Sequence, residues 1–192
     1  MTPGGARGIV AVISGPSGVG KTTVIDALLR RPGYSRSITA TTRAPRPGER
    51  DGTDYLFLTR ERFEEGLRAG RFLEHATVHG NLYGTPRDGV EEVLARGDVC
   101  LLNIDVQGAE SLRRTGLPVV TVFLLPPSPD ELQARLERRG TETPEQKARR
   151  LEAACKEMAQ ADRFDARIVN RVLDEAVAEV AAFIEARRPP SS

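Results

Sequence analysis

Lys21 and Thr22 close the octapeptide Gly15-Pro16-Ser17-Gly18-Val19-Gly20-Lys21-Thr22, whose spacing, G-x-x-x-x-G-K-[ST], suits one chemistry: holding a polyphosphate. Glycines let the backbone curl so that consecutive N–H groups face an anion. A following helix N-terminus adds a favourable dipole. A lysine so placed reaches the β- and γ-phosphates, and the threonine hydroxyl can ligate Mg²⁺. The elements this loop requires stand on both sides of it. Ile9-Val10-Ala11-Val12-Ile13 is an unbroken apolar run, the pattern of a strand buried on both faces. Beyond Thr23, the residues Val24, Ile25, Leu28 and Leu29 recur at helical spacing.

The chain has 192 residues, enough for one domain with a full hydrophobic core and small insertions. A net charge of +1 gives no global attraction to nucleic acid or to a membrane surface. The lysines are three (Lys21, Lys147 and Lys156), and arginine carries the rest of the positive charge. Cys100 and Cys155 match no metal or redox spacing and read as reduced, mostly buried thiols. His75 and His79 lack the companions of a zinc pair. Met1–Arg7 lacks the apolar stretch of a signal peptide, and no apolar run is long enough for a bilayer. The expectation is a cytoplasmic protein with no nucleic-acid or membrane partner, a monomer or homodimer.

Along the chain, strands and helices alternate. Arg36–Ala40 reads as a short second strand, and Thr41 to Gly52 as a turn-rich, arginine-rich loop. Tyr55–Leu58 reads as a strand. A short helix capped by Thr59 and ended by Gly70 follows, then a strand over Phe72–Val78. Gly80–Gly84 reads as a hairpin-like turn. Thr85 is the expected N-cap of the next helix, with Pro86 at its first position. Val99–Ile104 and Val119–Leu125 are further buried strands, and Asp105 ends the first of them. Such an acid can lie near Mg²⁺, can cap the next helix, or both.

Ser128-Pro129-Asp130-Glu131 and Thr143-Pro144-Glu145-Gln146 are capping signatures that open two helices. The second helix carries Ala148, Leu151, Cys155 and Met158 on one face. Arg135, Arg138, Arg139, Arg149 and Arg150 surround the glycine break between these helices. A solvated charged face is the ordinary reading of such a run; beside a polyphosphate site, a mobile arginine-bearing lid is the other. Ala166–Asn170 is a last short strand, and Leu173 to Ile184 an amphipathic helix. The fold class is α/β: a three-layer P-loop fold with a parallel sheet flanked by helices and ligands at the strands' carboxyl ends, plus a small mixed insertion. The expected parts are a core of 8–41, 86–134 and 160–188, an insertion of 42–85 and a helical lid of 135–159.

Read in order, G-P-S-G-V-G-K-T, T-T-R-A-P-R-P-G-E, D-Y-L-F, F-L-E-H, G-N-L-Y-G-T, I-D-V-Q-G and R-L-E-R-R-G-T-E-T followed by R-R-L resemble guanylate kinases from the first strand to the last helix. The resemblance implies ATP-dependent phosphorylation of GMP with Mg²⁺, the insertion binding GMP and the lid closing on ATP. It implies that Gly15 through Thr23 bind ATP with Arg135, Arg139 and Asn170. Arg43, Arg46, Tyr55 and Tyr83 would hold the GMP phosphate, and Glu74 would read guanine. Thr39, Thr85 and Asp105 would complete the GMP site, and Thr22 and Asp105 the metal site, the latter through water. Lys21, Arg43, Arg135, Arg139 and Arg150 would stabilise the transferring phosphoryl group.

Thr39 and Thr85 stand where the family usually has serine. Asn103 stands where it usually has Asp or Glu, and Arg171 where an acid is common. Three other readings compete: a sugar-phosphate kinase of similar fold, a non-catalytic interaction module, and an AMP or pyrimidine kinase. The complete acceptor-site set disfavours the first, the intact Lys21 and Thr22 the second, and Glu74 the third.

Overall fold

The computed structural model describes residues 8–78, 80–137 and 144–189, with side chains from 136–137 and 144–150 also left out. His79, Arg138, Arg139 and Thr143 therefore lie outside the described residues, as does the Arg150 side chain.

β1 (Ile9–Ser14) lies at the centre of a five-stranded sheet. Its neighbours are β7 (Val99–Leu102) and β8 (Val119–Leu125), flanked by β2 (Tyr34–Arg36) and β9 (Ala166–Val169). The order is β2-β7-β1-β8-β9, and every pairing is parallel. Side chains alternate across β1. Ile9, Ala11 and Ile13 join a core shared with Val24 and Leu28 of α1 (Lys21–Leu28) and Val180 and Ile184 of α7 (Leu173–Glu185). Val10 and Val12 join the opposite core, with Val90 and Val93 of α3 (Arg87–Ala95) and Ala109 and Leu112 of α4 (Val106–Arg113). Covering both faces is why β1 is apolar without alternation.

A second, four-stranded sheet has the order β4-β3-β6-β5. β3 (Ala40–Thr41) runs parallel to β4 (Leu56–Phe57) and antiparallel to β6 (Asn81–Pro86), which pairs antiparallel with β5 (Phe72–Val78). α2 (Arg60–Arg68) is capped by Thr59, whose hydroxyl accepts from the Arg62 N–H, and packs Phe63 into a small core of its own with Ala40 and Leu82. Phe63 stacks on Phe72 with centroids 4.4 Å apart.

α5 (Pro129–Glu137) starts at Ser128, whose Oγ accepts from the Glu131 N–H at 3.1 Å. α6 (Pro144–Met158) follows, with Ala154 and Met158 packed on Leu132 of α5. A single 3₁₀ turn over Ala161–Arg163 leads into β9.

Four local expectations are corrected. The strand expected over Arg36–Ala40 is two strands, β2 and β3, in different sheets. The hairpin-like turn expected over Gly80–Gly84 is shorter than that: Gly80 is in a turn between the antiparallel β5 and β6, and residues 81–84 already belong to β6. Thr85 accordingly lies inside a strand, and Pro86 is the N-cap of α3. Cys155 is exposed, while Ala154 takes the buried position one step earlier.

Candidate functional site

The carboxyl ends of β1 and β7 converge on one region, with Asn170 arriving directly after β9. Gly15 adopts φ 141°, and a β-carbon there would lie 2.5 Å from the Leu124 carbonyl oxygen. Gly20 adopts φ 101° as the N-cap of α1, and a β-carbon there would lie 2.5 Å from Asn170 Nδ2. Both positions therefore need glycine for conformation and for space. The Lys21 ammonium folds back over the loop it follows, donating to the carbonyls of Gly15 at 2.5 Å and Pro16 at 3.0 Å.

Asn170 is buried, and its side-chain amide donates to the Val19 carbonyl at 2.8 Å. Arg135 donates to the same carbonyl at 3.4 Å and to the Asn170 carbonyl at 3.1 Å, and pairs with Glu131 at 3.2 Å. Asn170 and Arg135 thus brace the P-loop backbone. They also line a cavity of about 350 Å³ beside Gly18, Gly20 and Thr23.

The second sheet supplies the other half. Glu74 on β5 is the register partner of Thr85 on β6, and Thr85 Oγ1 donates to Glu74 Oε1 at 2.5 Å. Both are buried, at 7% and 1% exposure. Burial pushes the Glu74 carboxyl above its ordinary range, the Thr85 bonds oppose that shift, and the negative charge of Asp105 adds to it. Asp105 caps α4, accepting from the Gly108 N–H at 2.8 Å. Its two expected roles, cap and site carboxylate, are compatible. A β-carbon at Gly108 would lie 3.0 Å from Glu74 Oε2, so the start of α4 approaches the carboxylate closely.

Arg43 pairs with Glu49 at 2.9 Å and lies over the rings of Tyr55 and Phe57, at 5.3 and 5.8 Å from their centroids. Tyr55 and Tyr83 meet edge to face at 6.2 Å, with the Tyr83 hydroxyl beside the Arg43 guanidinium. The Glu49 carboxylate raises the Arg43 pKa and is itself held below the usual range, chiefly by Arg43 and then by the Arg46 N–H. Arg46 is exposed, its backbone bonded to Glu49 at 2.7 Å.

Three cavities meet at Asn103. One, of about 230 Å³, joins Thr22 to Thr39, Tyr55 and Tyr83. A second, of about 190 Å³, joins Tyr83 to Glu74 and Asp105. The third, of about 410 Å³, holds Ser17, Lys21, Asp105 and Glu157. The P-loop, the Tyr55–Tyr83 pair and Glu74 therefore line adjoining cavities.

The sequence reading did not single out Glu49, Phe57, Ser37 or Glu157. Glu49 had a signal, an acid six residues after Arg43 in a basic loop. Ser37 lines the first cavity, and its Oγ is the buried side-chain polar atom without a partner among the described residues.

Comparison with known proteins agrees with this architecture. The family model described as guanylate kinase matches residues 7–187. The chain is 45% identical to a guanylate kinase of Thiobacillus denitrificans, over 98% of this chain and 90% of that one. It is 50% identical to one of Thermus thermophilus, over 96% and 82%. The crystal structure of guanylate kinase from Anaplasma phagocytophilum superposes with a TM-score of 0.76 at 34% identity, covering 96% of this chain and 88% of that one. The chain belongs to the guanylate kinase family.

Guanylate kinases are enzymes that phosphorylate GMP to GDP with ATP, generally using Mg²⁺. The residues here suit such an ion. Thr22, Asn103 and Asp105 offer only hard oxygen donors. Among the described residues no group of three or more His, Cys, Asp and Glu could hold a metal ion by itself. That fits Mg²⁺, which keeps several waters and binds through few side chains plus phosphates. Among the described residues no helix is long and apolar enough to cross a membrane.

Proposed function

We propose that the chain transfers the γ-phosphoryl group of ATP in line to GMP, and to dGMP, within purine nucleotide metabolism. One observation carries this reading: the cavity that runs from Thr22, at the end of the phosphate loop, to Thr39, Tyr55 and Tyr83 in the second sheet. Donor and acceptor phosphates can meet there. Phosphoryl transfer asks the protein for alignment, charge compensation and exclusion of water more than for covalent chemistry.

Lys21 would exchange its bonds to the Gly15 and Pro16 carbonyls for donor phosphate oxygens. The loop N–H groups would hold the rest of the triphosphate, with Asn170 and Arg135 fixing the loop's shape. Arg43, steadied by Glu49 and its aromatic neighbours, would bind the acceptor phosphate with Arg46, Tyr55 and Tyr83. Glu74 would accept from guanine N1–H and N2–H₂, a side-by-side donor pair that adenine lacks. Thr39 and Asp105 would complete the acceptor site. Thr22, with Asp105 through water, would hold Mg²⁺, which supplies charge neutralisation at the β- and γ-phosphates. The acceptor is already an ionised oxygen, so no side chain need act as a base. Arg139 and Arg150 would join Arg135 in a lid of 135–159 that closes with the insertion of 42–85.

Coupled ADP release measured across GMP, dGMP, AMP, UMP and a ribose bisphosphate tests the reading. GMP is the expected best acceptor, with dGMP next. Preference for the sugar phosphate or for AMP would overturn it.

A further inference from the structure

The last turn of α6 directs an acid at the phosphate loop. Glu157 lines the same cavity as Ser17, Lys21 and Asp105. There its carboxylate faces the Ser17 backbone N–H and the Lys21 ammonium, both of which favour its charged form. The placement follows from packing. Ala154 is 1% exposed against Leu132, and Met158 packs both there and on the α3–α4 side of the sheet, which fixes the roll of the helix. Glu152 and Lys156, on the same helix, are exposed and pair with each other at 2.6 Å. Glu157 alone of these three turns inward.

A P-loop is an array of N–H donors shaped for anionic oxygens. Here that cavity is also lined by a carboxylate of the chain itself. The neighbours from each side are known: Lys21 attracts the Glu157 carboxylate, Asp105 repels it, and burial disfavours its charge. An incoming triphosphate would need the Ser17 donor and Lys21, and it would bring like charge against Glu157.

Resting on the reading that this loop takes the ATP triphosphate, we propose that Glu157 is a resident anion of the donor site, which the triphosphate displaces on binding. Glu157 is a positioning residue. It holds the Ser17 N–H and the Lys21 environment in a phosphate-like arrangement while the site is empty, and it ties the end of α6 to donor occupancy. The consequence is a competition: the native carboxylate weakens triphosphate binding, and its neutral isostere relieves the repulsion.

The test is equilibrium binding of the non-hydrolysable ATP analogue AMP-PNP with Mg²⁺, and separately of inorganic tripolyphosphate, GMP and adenosine, to the full chain. Glu157→Gln is expected to tighten AMP-PNP and tripolyphosphate about 5- to 10-fold, like-charge contacts at close range being worth that much or more. GMP and adenosine should stay within about 2-fold, and the exposed charge control Glu152→Gln should match the parent for all four. Glu157→Asp, with its carboxylate drawn back by one methylene, is expected between parent and Gln and serves if the Gln variant does not fold. Unchanged or weaker AMP-PNP binding in the available variant would overturn the proposal, as would equal tightening of GMP. Lys21→Ala separates the underlying reading. If it binds tripolyphosphate like the parent, the loop is not the triphosphate site. If it loses binding while the Glu157 variants match the parent, the displaced-anion proposal alone fails.

Discussion

Thr85 donates its hydroxyl to Glu74 across paired antiparallel strands, at 2.5 Å and at sites almost closed to solvent. The bond holds one carboxylate oxygen; on the reading proposed above, the other, facing the start of α4, is left for the guanine donors. Thr85→Val keeps the shape and removes the donor. Leaving a buried acceptor unpaired costs about 1–3 kcal/mol, so KM for GMP should rise between about 5- and 150-fold with ATP saturating. Thr85→Ser should restore it. A Val variant with the parent KM would remove Thr85 from the site.

The raised carboxyl of Glu74 sets a pH dependence. In the proposed role, Glu74 accepts from guanine in its charged form. As pH falls, KM for GMP should therefore begin to climb above the ordinary carboxylate value of 4.5, while KM for ATP stays flatter. Stability runs the other way. A carboxyl whose folded-state pKa is raised contributes stability that is full below its unfolded value and is lost as pH rises through the folded one. Glu74→Gln should then melt higher than the parent at pH 7.5 and use GMP poorly; differential scanning calorimetry beside a GMP titration measures both.

Arg43 and Glu49 should behave as one unit. Glu49→Gln removes the charge partner while Tyr55 and Phe57 stay in place, and kcat/KM for GMP should fall about 10-fold. Arg43→Lys should do worse than Glu49→Gln, because an ammonium cannot replace a planar fork that stacks on rings. A steady-state comparison of the two variants decides the order.

Asn170→Ala removes the nearer of the two side-chain donors to the Val19 carbonyl, leaving Arg135 at 3.4 Å, and opens space beside Gly20. KM for ATP should rise about 10-fold and GMP binding should hold, since the bond shapes only the donor side. Gly20→Ala sets a methyl against the Asn170 amide at a positive φ, and should raise KM for ATP more than Asn170→Ala in the same kinetic assay.

Lys21→Ala should lower kcat by on the order of 10²-fold or more, the scale of removing one electrostatic stabiliser of a transition state. Single-turnover quench with bound GMP would show whether the loss lies in the chemical step. Near-normal kcat would exclude Lys21 from it.

Local pattern revealed much of this molecule. β5 and β8 occupy the expected residues, because buried strands between turn signals leave clear edges. β6 was hidden because Gly-Asn-Leu-Tyr-Gly carries turn composition. The structure gives Gly84 another reason: a β-carbon there would lie 2.9 Å from Phe63 and 3.0 Å from Phe72, a tertiary crowding no local window contains. The Asn170 bond to Val19 and the shared cavity of Glu157 and Ser17 join residues more than 130 positions apart, and only the folded chain brings them together. Chemical types at the site were legible; which atoms brace which others was not.

The difference between the two cysteines has a practical side. Cys100 lies within β7 with its thiol pushed up to about 12, mainly by burial, so it resists alkylation at neutral pH. Cys155 is exposed, two positions before Glu157 on α6. A maleimide dye therefore has one native attachment point, on the helix that meets the phosphate loop. On the displaced-anion proposal, a dye there should report donor binding by fluorescence in the unmutated chain.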